Sequence, residues 1–356
     1  MLKRIWVVAG MSLFLAGCGA SPNDSGTPMG PATDAPGSLY KSFDSGKTFA
    51  PKVTVSDKLR ITSADILSWV IVPQDPQTMY IGTMDDGMFR SKDGAEHWEK
   101  MDFPPEMIYG IVIDLSDPRR IFATGVYGGV GKIYRTEDAG ENWKEVYVEP
   151  GPGTIISSLA MHPLNSRILY AATDKGGVMK STDGGAQWKN IYEADGPVTR
   201  ILLGTKIPES VSLLVFQSEV LSSLDGGVTW LEKAVQSDEE VTTLSSPVSL
   251  NFDPNTPSIL YAGTSTDGLF RSPDFGSSWY SLSILESAKR YPIRAVAVSQ
   301  DNPNEIVLSS GSVFYRSTDG GLSWSVTELG TDRGVSIILY EPGNSAILYF
   351  GLRKFK

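Results

Sequence analysis

Three acidic residues, Asp86, Asp174 and Asp267, carry the side chains of this sequence that are best suited to acid–base chemistry. Two carboxylates a few ångströms apart can serve as acid and base, or as acid and nucleophile, in glycoside hydrolysis. The chain has two histidines, His97 and His162. Neither has the neighbours of a nucleophile triad or a zinc cluster. Both are expected at the surface, and the turn that contains His162 is expected on the face of the protein that binds a ligand.

A repeated motif shows which elements must position these residues. The string Ser-Thr-Asp-Gly-Gly occurs at 181–185 and at 317–321, and a tryptophan follows each copy. Seven copies in all are separated by 49, 45, 45, 42, 49 and 45 residues, a period that fits four short strands with their turns. The fourth repeat, near 208–216, is the weakest copy and is expected to pack irregularly. The motif aspartates are Asp44, Asp93, Asp138, Asp183, Asp225, Asp274 and Asp319, and the aromatic residues that follow them are Phe49, Trp98, Trp143, Trp188, Trp230, Trp279 and Trp324.

The motif has a physical logic of its own. The aspartate can accept hydrogen bonds from backbone N–H groups of its turn, the next glycine tolerates positive φ, and the aromatic residue packs beneath the turn. With these residues the sequence resembles the Asp-box, or BNR, propellers over 38–356. That family includes sialidases, sortilins, two-domain xyloglucanases and photosystem II assembly factors. The resemblance implies an all-β fold, a seven-bladed β-propeller with four-stranded antiparallel blades, in which the box aspartates are structural.

The two chain ends are expected to share one blade. After Trp324 the sequence has two further strands, at 335–340 and 347–351, but no further box. The unmatched box is the one at the N-terminal end, between 39 and 55. The N-terminal segment should therefore supply the two outer strands of the last blade and so close the ring without free strand edges.

Ligand binding is expected on the rim opposite the Asp boxes and in its central funnel. In an antiparallel blade the turns between strands two and three, and the links between blades, lie on that rim. The links also offer Tyr109 and Arg200. The candidate ligand residues are Asp86, Tyr127, Asp174, Lys175, Asp267, Arg294 and Arg333.

The N-terminus predicts export and lipid attachment. Lys3 and Arg4 precede an apolar run over 5–15, which is too short to span a bilayer and is typical of a signal peptide. The run leads into Leu-Ala-Gly-Cys, which resembles the bacterial lipobox and implies lipid on Cys18, the one cysteine of the chain. We therefore expect a signal peptide over 1–18 and a flexible linker over 19–37 that is rich in Gly, Ala, Ser and Pro. Position 19, directly after the proposed lipidated cysteine, is Gly and not the aspartate that retains many enterobacterial lipoproteins in the inner membrane. We therefore expect the outer membrane.

Two classes of function are compatible with the sequence. The formal charge of −10 excludes a nucleic acid partner, and no motif calls for a metal or another cofactor. The first class is a monomeric, non-catalytic platform that binds an envelope protein or a surface polymer, like the assembly factors. The second is a glycan-binding or glycan-cleaving propeller that uses Asp86, Asp174 or Asp267. The sialidase pattern of Phe-Arg-Ile-Pro is absent, and the nearest string is Tyr-Pro-Ile-Arg at 291–294.

Overall fold

The chain folds into the blades of a β-propeller. The computed structural model describes residues 37–55, 61–204, 207, 209–231 and 243–355. These residues form seven antiparallel sheets around a central channel, and their one helix is a single 3-10 turn, Glu286–Lys289. The predicted fold class and blade number are confirmed. The proposed signal peptide, Cys18 and nearly all of the linker lie outside the described residues.

The two inner strands of each blade form the hydrophobic interior of the ring. The second strands are buried along most of their length because neighbouring blades cover both of their faces. The first strands line the channel and are β3 (Ile66–Ile71), β7 (Met107–Ile113), β11 (Ile156–Met161), β15 (Val198–Leu203), β18 (Pro247–Phe252), β22 (Ile293–Val298) and β26 (Gly334–Glu341). The second strands are β4 (Met79–Thr83), β8 (Ile121–Tyr127), β12 (Leu169–Thr173), β16 (Val211–Val215), β19 (Leu260–Thr264), β23 (Ile306–Ser310) and β27 (Asn344–Arg353).

The two outer strands of each blade lie on either side of an Asp box. The outermost strands are the most exposed of the four. The third strands are β1 (Leu39–Ser42), β5 (Met88–Ser91), β9 (Val130–Thr136), β13 (Gly177–Ser181), β17 (Glu219–Ser223), β20 (Leu269–Ser272) and β24 (Val313–Ser317). The outermost strands are β2 (Ala50–Pro51), β6 (Glu99–Lys100), β10 (Lys144–Val148), β14 (Lys189–Glu193), β21 (Tyr280–Ser281) and β25 (Ser325–Glu328).

The fourth blade has three strands within the described residues, β15, β16 and β17. They pair in the same antiparallel register as their counterparts in the other blades. The weak fourth repeat therefore keeps a regular inner sheet. All five residues of β16 are buried, so this strand still packs against the neighbouring blades.

The ring closes through a blade built from both parts of the chain. Its strand order is β2-β1-β27-β26, and β1 pairs with β27 from Leu39 opposite Gly351 to Ser42 opposite Leu348. The predicted sharing of one blade is confirmed. Leu39 also joins the core between this blade and the first one, where the Trp69 ring lies 5.5 Å from that of Tyr349. Burying side chains of this size contributes about 1.5–3 kcal/mol each, so closure is driven by packing as well as by strand pairing.

Candidate functional site: the central channel

The central channel contains a cavity of about 520 Å³. A β-bulge follows the first residue or two of every inner strand, so one residue per blade is unpaired with the second strand. Bulges redirect side chains, and all seven unpaired residues line the cavity and are half-buried. We call them the bulge ring: Leu67, Tyr109, Ser157, Thr199, Val248, Arg294 and Ser336.

Serine side chains of the wall bind neighbouring blades. The Ser68 hydroxyl donates to the carbonyl oxygen of Ile108 at 3.0 Å, and that of Ser249 donates to the carbonyl of Ile293 at 2.6 Å. Bonds of the same kind join the first blade to the last and the third to the fourth. These hydroxyl donors hold the ring together, and they leave other groups to meet a ligand.

Three arginines dominate the charge of the cavity wall. Arg200, Arg294 and Arg353 line it, and within the described residues Asp174 is the one carboxylate that does so. Repulsion by Arg353 adds to burial in lowering the pKa of Arg294. A protein with a formal charge of −10 therefore concentrates positive charge at its centre.

Arg200 is the most isolated of these cations. It directly follows the bulge of the fourth blade, where the other six blades have Ser68, Gly110, Ser158, Ser249, Ala295 and Ile337. Small side chains at five of these positions leave room for its length. No described residue forms an ion pair or hydrogen bond with its guanidinium group, although the side chain is exposed to the channel. Because protein surrounds the channel on all sides, desolvation lowers the pKa of Arg200.

Aromatic residues lie at the channel mouth with the other two arginines. The Phe355 ring centroid is 4.0 Å from Cζ of Arg294 and 5.6 Å from Cζ of Arg353. Burial raises the pKa of the Tyr109 phenol, which also senses the charges of Arg353 and Asp174. Residues from the second, third, sixth and seventh blades thus meet at one end of the channel.

The structure brings two of the seven predicted ligand residues, Asp174 and Arg294, into the channel. Lys175 lies beside Asp174, with Nζ 3.4 Å from Oδ2. Arg333 lies outside the cavity lining, because its guanidinium group pairs with Asp65 and donates to the carbonyl oxygen of Ala64 at 2.9 Å. It therefore joins the last blade to the first.

The remaining candidates lie on exposed loops of the same rim, except that Tyr127 is the exposed last residue of β8. Asp86 and Asp267 occupy equivalent turns of the first and fifth blades, where each backbone N–H donates to a threonine hydroxyl at 2.9 Å. The side chain of Tyr127 is 53% exposed, and the ammonium group of Lys132 lies 5.4 Å from its ring centroid. None of these three side chains lines the cavity. Arg353 and Phe355 were missed by the sequence analysis.

The Asp boxes lie on the opposite rim and bind their own turns. In all seven, Oδ1 of the aspartate accepts the backbone N–H four residues later at 2.8–2.9 Å. The serine or threonine two residues before the aspartate, which the sequence analysis left unassigned, donates to the same carboxylate and accepts a backbone N–H. The pKa of Asp319 falls to about 2, chiefly because the Ser323 hydroxyl bonds to it.

The two histidines differ in burial. His97 is exposed, but the expectation that His162 lies at the surface of the ligand-binding rim is wrong, since it is 6% exposed. It begins the turn between β11 and β12, which bonds to the Asp box of its own blade through the Gly184 N–H and the Arg167 carbonyl. His162 therefore lies on the Asp-box rim, where its Nδ1 accepts the backbone N–H of Leu164 at 3.2 Å.

The described residues contain neither a metal-binding cluster nor a membrane-spanning helix. No group of three or more His, Cys, Asp or Glu side chains is placed to hold a metal ion among the described residues. Within those ranges no helix has the length and apolar character needed to cross a bilayer.

Comparison with known families places the chain among β-propellers. A family model described as the DUF6242 beta propeller domain matches residues 118–332, more than half of the chain. One curated relative, the oligoxyloglucan-reducing end-specific xyloglucanase of Emericella nidulans, is 33% identical over 120 residues, which are 32% of this chain and 15% of that enzyme. The chain thus spans a small part of the curated relative it matches.

Solved structures share the fold at low sequence identity. The GH74 xyloglucanase of Xanthomonas campestris superposes with a TM-score of 0.68 at 16% identity, covering 82% of this chain and 51% of that one. A structure of YCF48 bound to D1 peptide superposes with a TM-score of 0.62 at 17% identity, covering 85% of this chain and 100% of that one. YCF48 from Cyanidioschyzon merolae gives a TM-score of 0.61 at 15% identity, covering 81% and 95% of the two chains. At such identities the likeness shows the fold alone.

Proposed function

The chain belongs to the DUF6242 beta propeller family, and we propose on that premise that it is a non-catalytic platform whose central channel binds an acidic segment of a partner protein. The charge of the channel wall is the observation that carries this proposal. Arg200, Arg294 and Arg353 line a cavity in which Asp174 is the one described carboxylate. A cation that faces the channel without a counter-ion attracts a carboxylate, and charge-assisted hydrogen bonds between the two are stronger than neutral ones.

The donors of the channel fit this role. The hydroxyls of Ser68, Ser157, Ser249 and Ser336 donate to carbonyl oxygens of the next blade. The five N–H groups of Arg200 have no partner among the described residues and remain for a ligand. An arginine fork binds a carboxylate with two parallel hydrogen bonds, which selects acidic side chains over neutral ones.

The same cavity gives less support to glycoside hydrolysis. That reaction needs two carboxylates, about 5–9.5 Å apart depending on the mechanism. Asp174 lines the channel, whereas Asp86 and Asp267 lie on exposed loops of two other blades. In addition, the backbone N–H of Ile155 donates to Asp174 at 2.8 Å, so this carboxylate already has a structural partner.

A glycan-binding or glycan-cleaving propeller is the second candidate, and the partial match to a xyloglucanase favours it. The chain covers half of the GH74 enzyme from Xanthomonas campestris. A neutral glucan offers hydroxyl groups and no anion, so it would leave the three arginines without a counter-ion.

Membrane attachment completes the proposal. Lipid on Cys18 would hold the propeller at the envelope, with the outer membrane as the favoured site and an envelope protein as the partner. Incorporation of a labelled fatty acid by the full chain in a bacterial host, and its loss in Cys18→Ser, is the expected result. Equal labelling of both chains would contradict the anchor.

Titration calorimetry of the full chain with an acetylated, amidated peptide of sequence Asp-Glu-Ala-Glu-Asp tests the binding proposal. We expect binding that weakens with salt, and a loss of about tenfold in Arg200→Ala. Arg119→Ala, which removes an arginine whose side chain is 72% exposed, is the matched control and should bind like the natural chain. Undiminished binding by Arg200→Ala would contradict the proposal, as would binding of polygalacturonate without binding of the peptide.

A further inference from the structure

The residues that follow β27 cover part of the channel mouth. The strand ends at Arg353, and the chain then turns so that Phe355 lines the same cavity as Arg200 and Arg294. The ring of Phe355 contacts the guanidinium groups of Arg294 and Arg353, at 4.0 and 5.6 Å from ring centroid to Cζ. Two of the three channel arginines thus lie within cation–π distance of a side chain of the protein itself.

Gly334 shapes the slot in which this ring lies. It begins β26 and pairs with Arg353. A Cβ atom at Gly334 would lie 2.8 Å from two carbons of the Phe355 ring and 3.6 Å from the carbonyl oxygen of Gly311. The ring therefore rests on bare backbone, in space that any larger residue at position 334 would fill.

One end of the covering segment is tied to the first blade. The backbone N–H of Lys354 donates to Oδ1 of Asp65 at 2.6 Å, and the same carboxylate pairs with Arg333. Phe355 itself is half-buried. The ring can therefore leave its slot by rotation of one residue while Asp65 keeps the preceding residue in place.

We propose that Phe355 occupies an aromatic subsite of the channel mouth, and that an aromatic side chain within the acidic partner segment takes its place. This inference rests on the proposed function, because the partner enters the same arginine-lined channel. A planar guanidinium group stacks through its face and donates hydrogen bonds from its edge. Arg294 and Arg353 can therefore hold a ring and a neighbouring carboxylate at once, so the preferred ligand combines the two.

Paired peptides test the subsite on the full chain. Asp-Glu-Phe-Glu-Asp and Asp-Glu-Ala-Glu-Asp, both acetylated and amidated, are titrated into the natural chain and into Phe355→Ala. Removing the Phe355 ring should tighten binding of the phenylalanine peptide by about three- to tenfold, because the ring of the peptide no longer has to displace it from the subsite. The alanine peptide should gain less.

The double variant Gly334→Ala/Phe355→Ala, which fills the empty slot, is the decisive test of the subsite. The new methyl group stands in the slot, 2.8 Å from the positions of two carbons of the Phe355 ring, so the preference for the phenylalanine peptide should vanish while the alanine peptide still binds. Equal affinities of the two peptides for Phe355→Ala would overturn the aromatic subsite and leave the arginine site standing. Binding of neither peptide to any of the chains would overturn the proposed function and this inference with it. Circular dichroism of each variant verifies the fold.

Discussion

The ammonium group of Lys41 donates to the carbonyl oxygen of Gly94 at 2.9 Å, across the seam where the last blade meets the first. Lys41 is 5% exposed and lies three residues before the aspartate of its own Asp box. A cation at this position of one blade bonds to the box of the next blade at four seams. The pairs are Lys41 to Gly94, Arg90 to Ala139, Arg135 to Gly184 and Lys180 to Gly226.

Lys41→Met should weaken ring closure. It keeps the aliphatic chain but leaves the buried carbonyl oxygen of Gly94 without its donor, which costs about 1–3 kcal/mol in the free energy of unfolding. Urea unfolding followed by circular dichroism measures this. Lys47→Met changes an exposed lysine of the same box and should stay within about 0.5 kcal/mol of the natural chain. Equal effects of the two substitutions would rule out a role of the seam bond.

An aromatic cluster between the sixth and the last blade predicts energetic coupling between the chain ends. Phe49 lies 4.9 Å from Phe350 and 5.5 Å from Phe314, measured between ring centroids. Phe350→Ala empties a fully buried site and should cost about 3–5 kcal/mol in unfolding free energy. In a double-mutant cycle, Phe49→Ala and Phe350→Ala should couple by about 0.5–1.5 kcal/mol. Additive effects would mean that the N-terminal segment does not pack on the last blade.

Acid should unfold the propeller through its Asp boxes. The pKa values of Asp138, Asp225 and Asp319 fall to about 2, first because a threonine or serine hydroxyl bonds to each carboxylate. Since these values lie below the ordinary 3.8, the carboxylates stabilise the fold fully above pH about 4 and lose that contribution as the pH falls towards 2.

This effect can be measured as the change in melting temperature between about pH 6 and about pH 2.5. Asp319→Asn should lower the melting temperature at neutral pH and flatten its decline in acid, because one titrating group has gone. Asp102→Asn removes an exposed carboxylate outside the boxes and should melt like the natural chain at neutral pH. An acid response of Asp319→Asn identical to that of the natural chain would be the adverse result.

A screen of neutral glycans should show no turnover. Neutral xyloglucan oligosaccharides, and anionic sialylated glycans as a second set that should likewise give no turnover, are incubated with the full chain, and released sugars are quantified by chromatography. Turnover that is lost in Asp174→Asn or Asp86→Asn would refute the non-catalytic proposal. Asp102→Asn serves again as the control for any effect of losing one negative charge.

Most of the fold could be predicted from the repeat, because each blade is specified by a motif and strands that are close together in the sequence. The spacing of Asp44, Asp93 and the later boxes predicted the blades, and the unmatched first box predicted ring closure. The channel was less accessible to sequence analysis. Arg353 and Phe355 reach the mouth only because the last strand returns to the first blade, and His162 is buried by its turn although its sequence neighbours look like a surface loop.

The bulge of every inner strand separates the residues that contact a ligand from the residues that maintain the fold. Each repeat contributes one side chain to the lumen from a residue that has no register partner on the second strand, while the boxes at the far rim maintain the frame. Exchanges at the five of these places other than Ser157 and Ser336, whose hydroxyls bond to the next blade, would change what enters the lumen and barely affect folding. Paralogues of one architecture could thus diverge in ligand choice by single codon changes, one blade at a time.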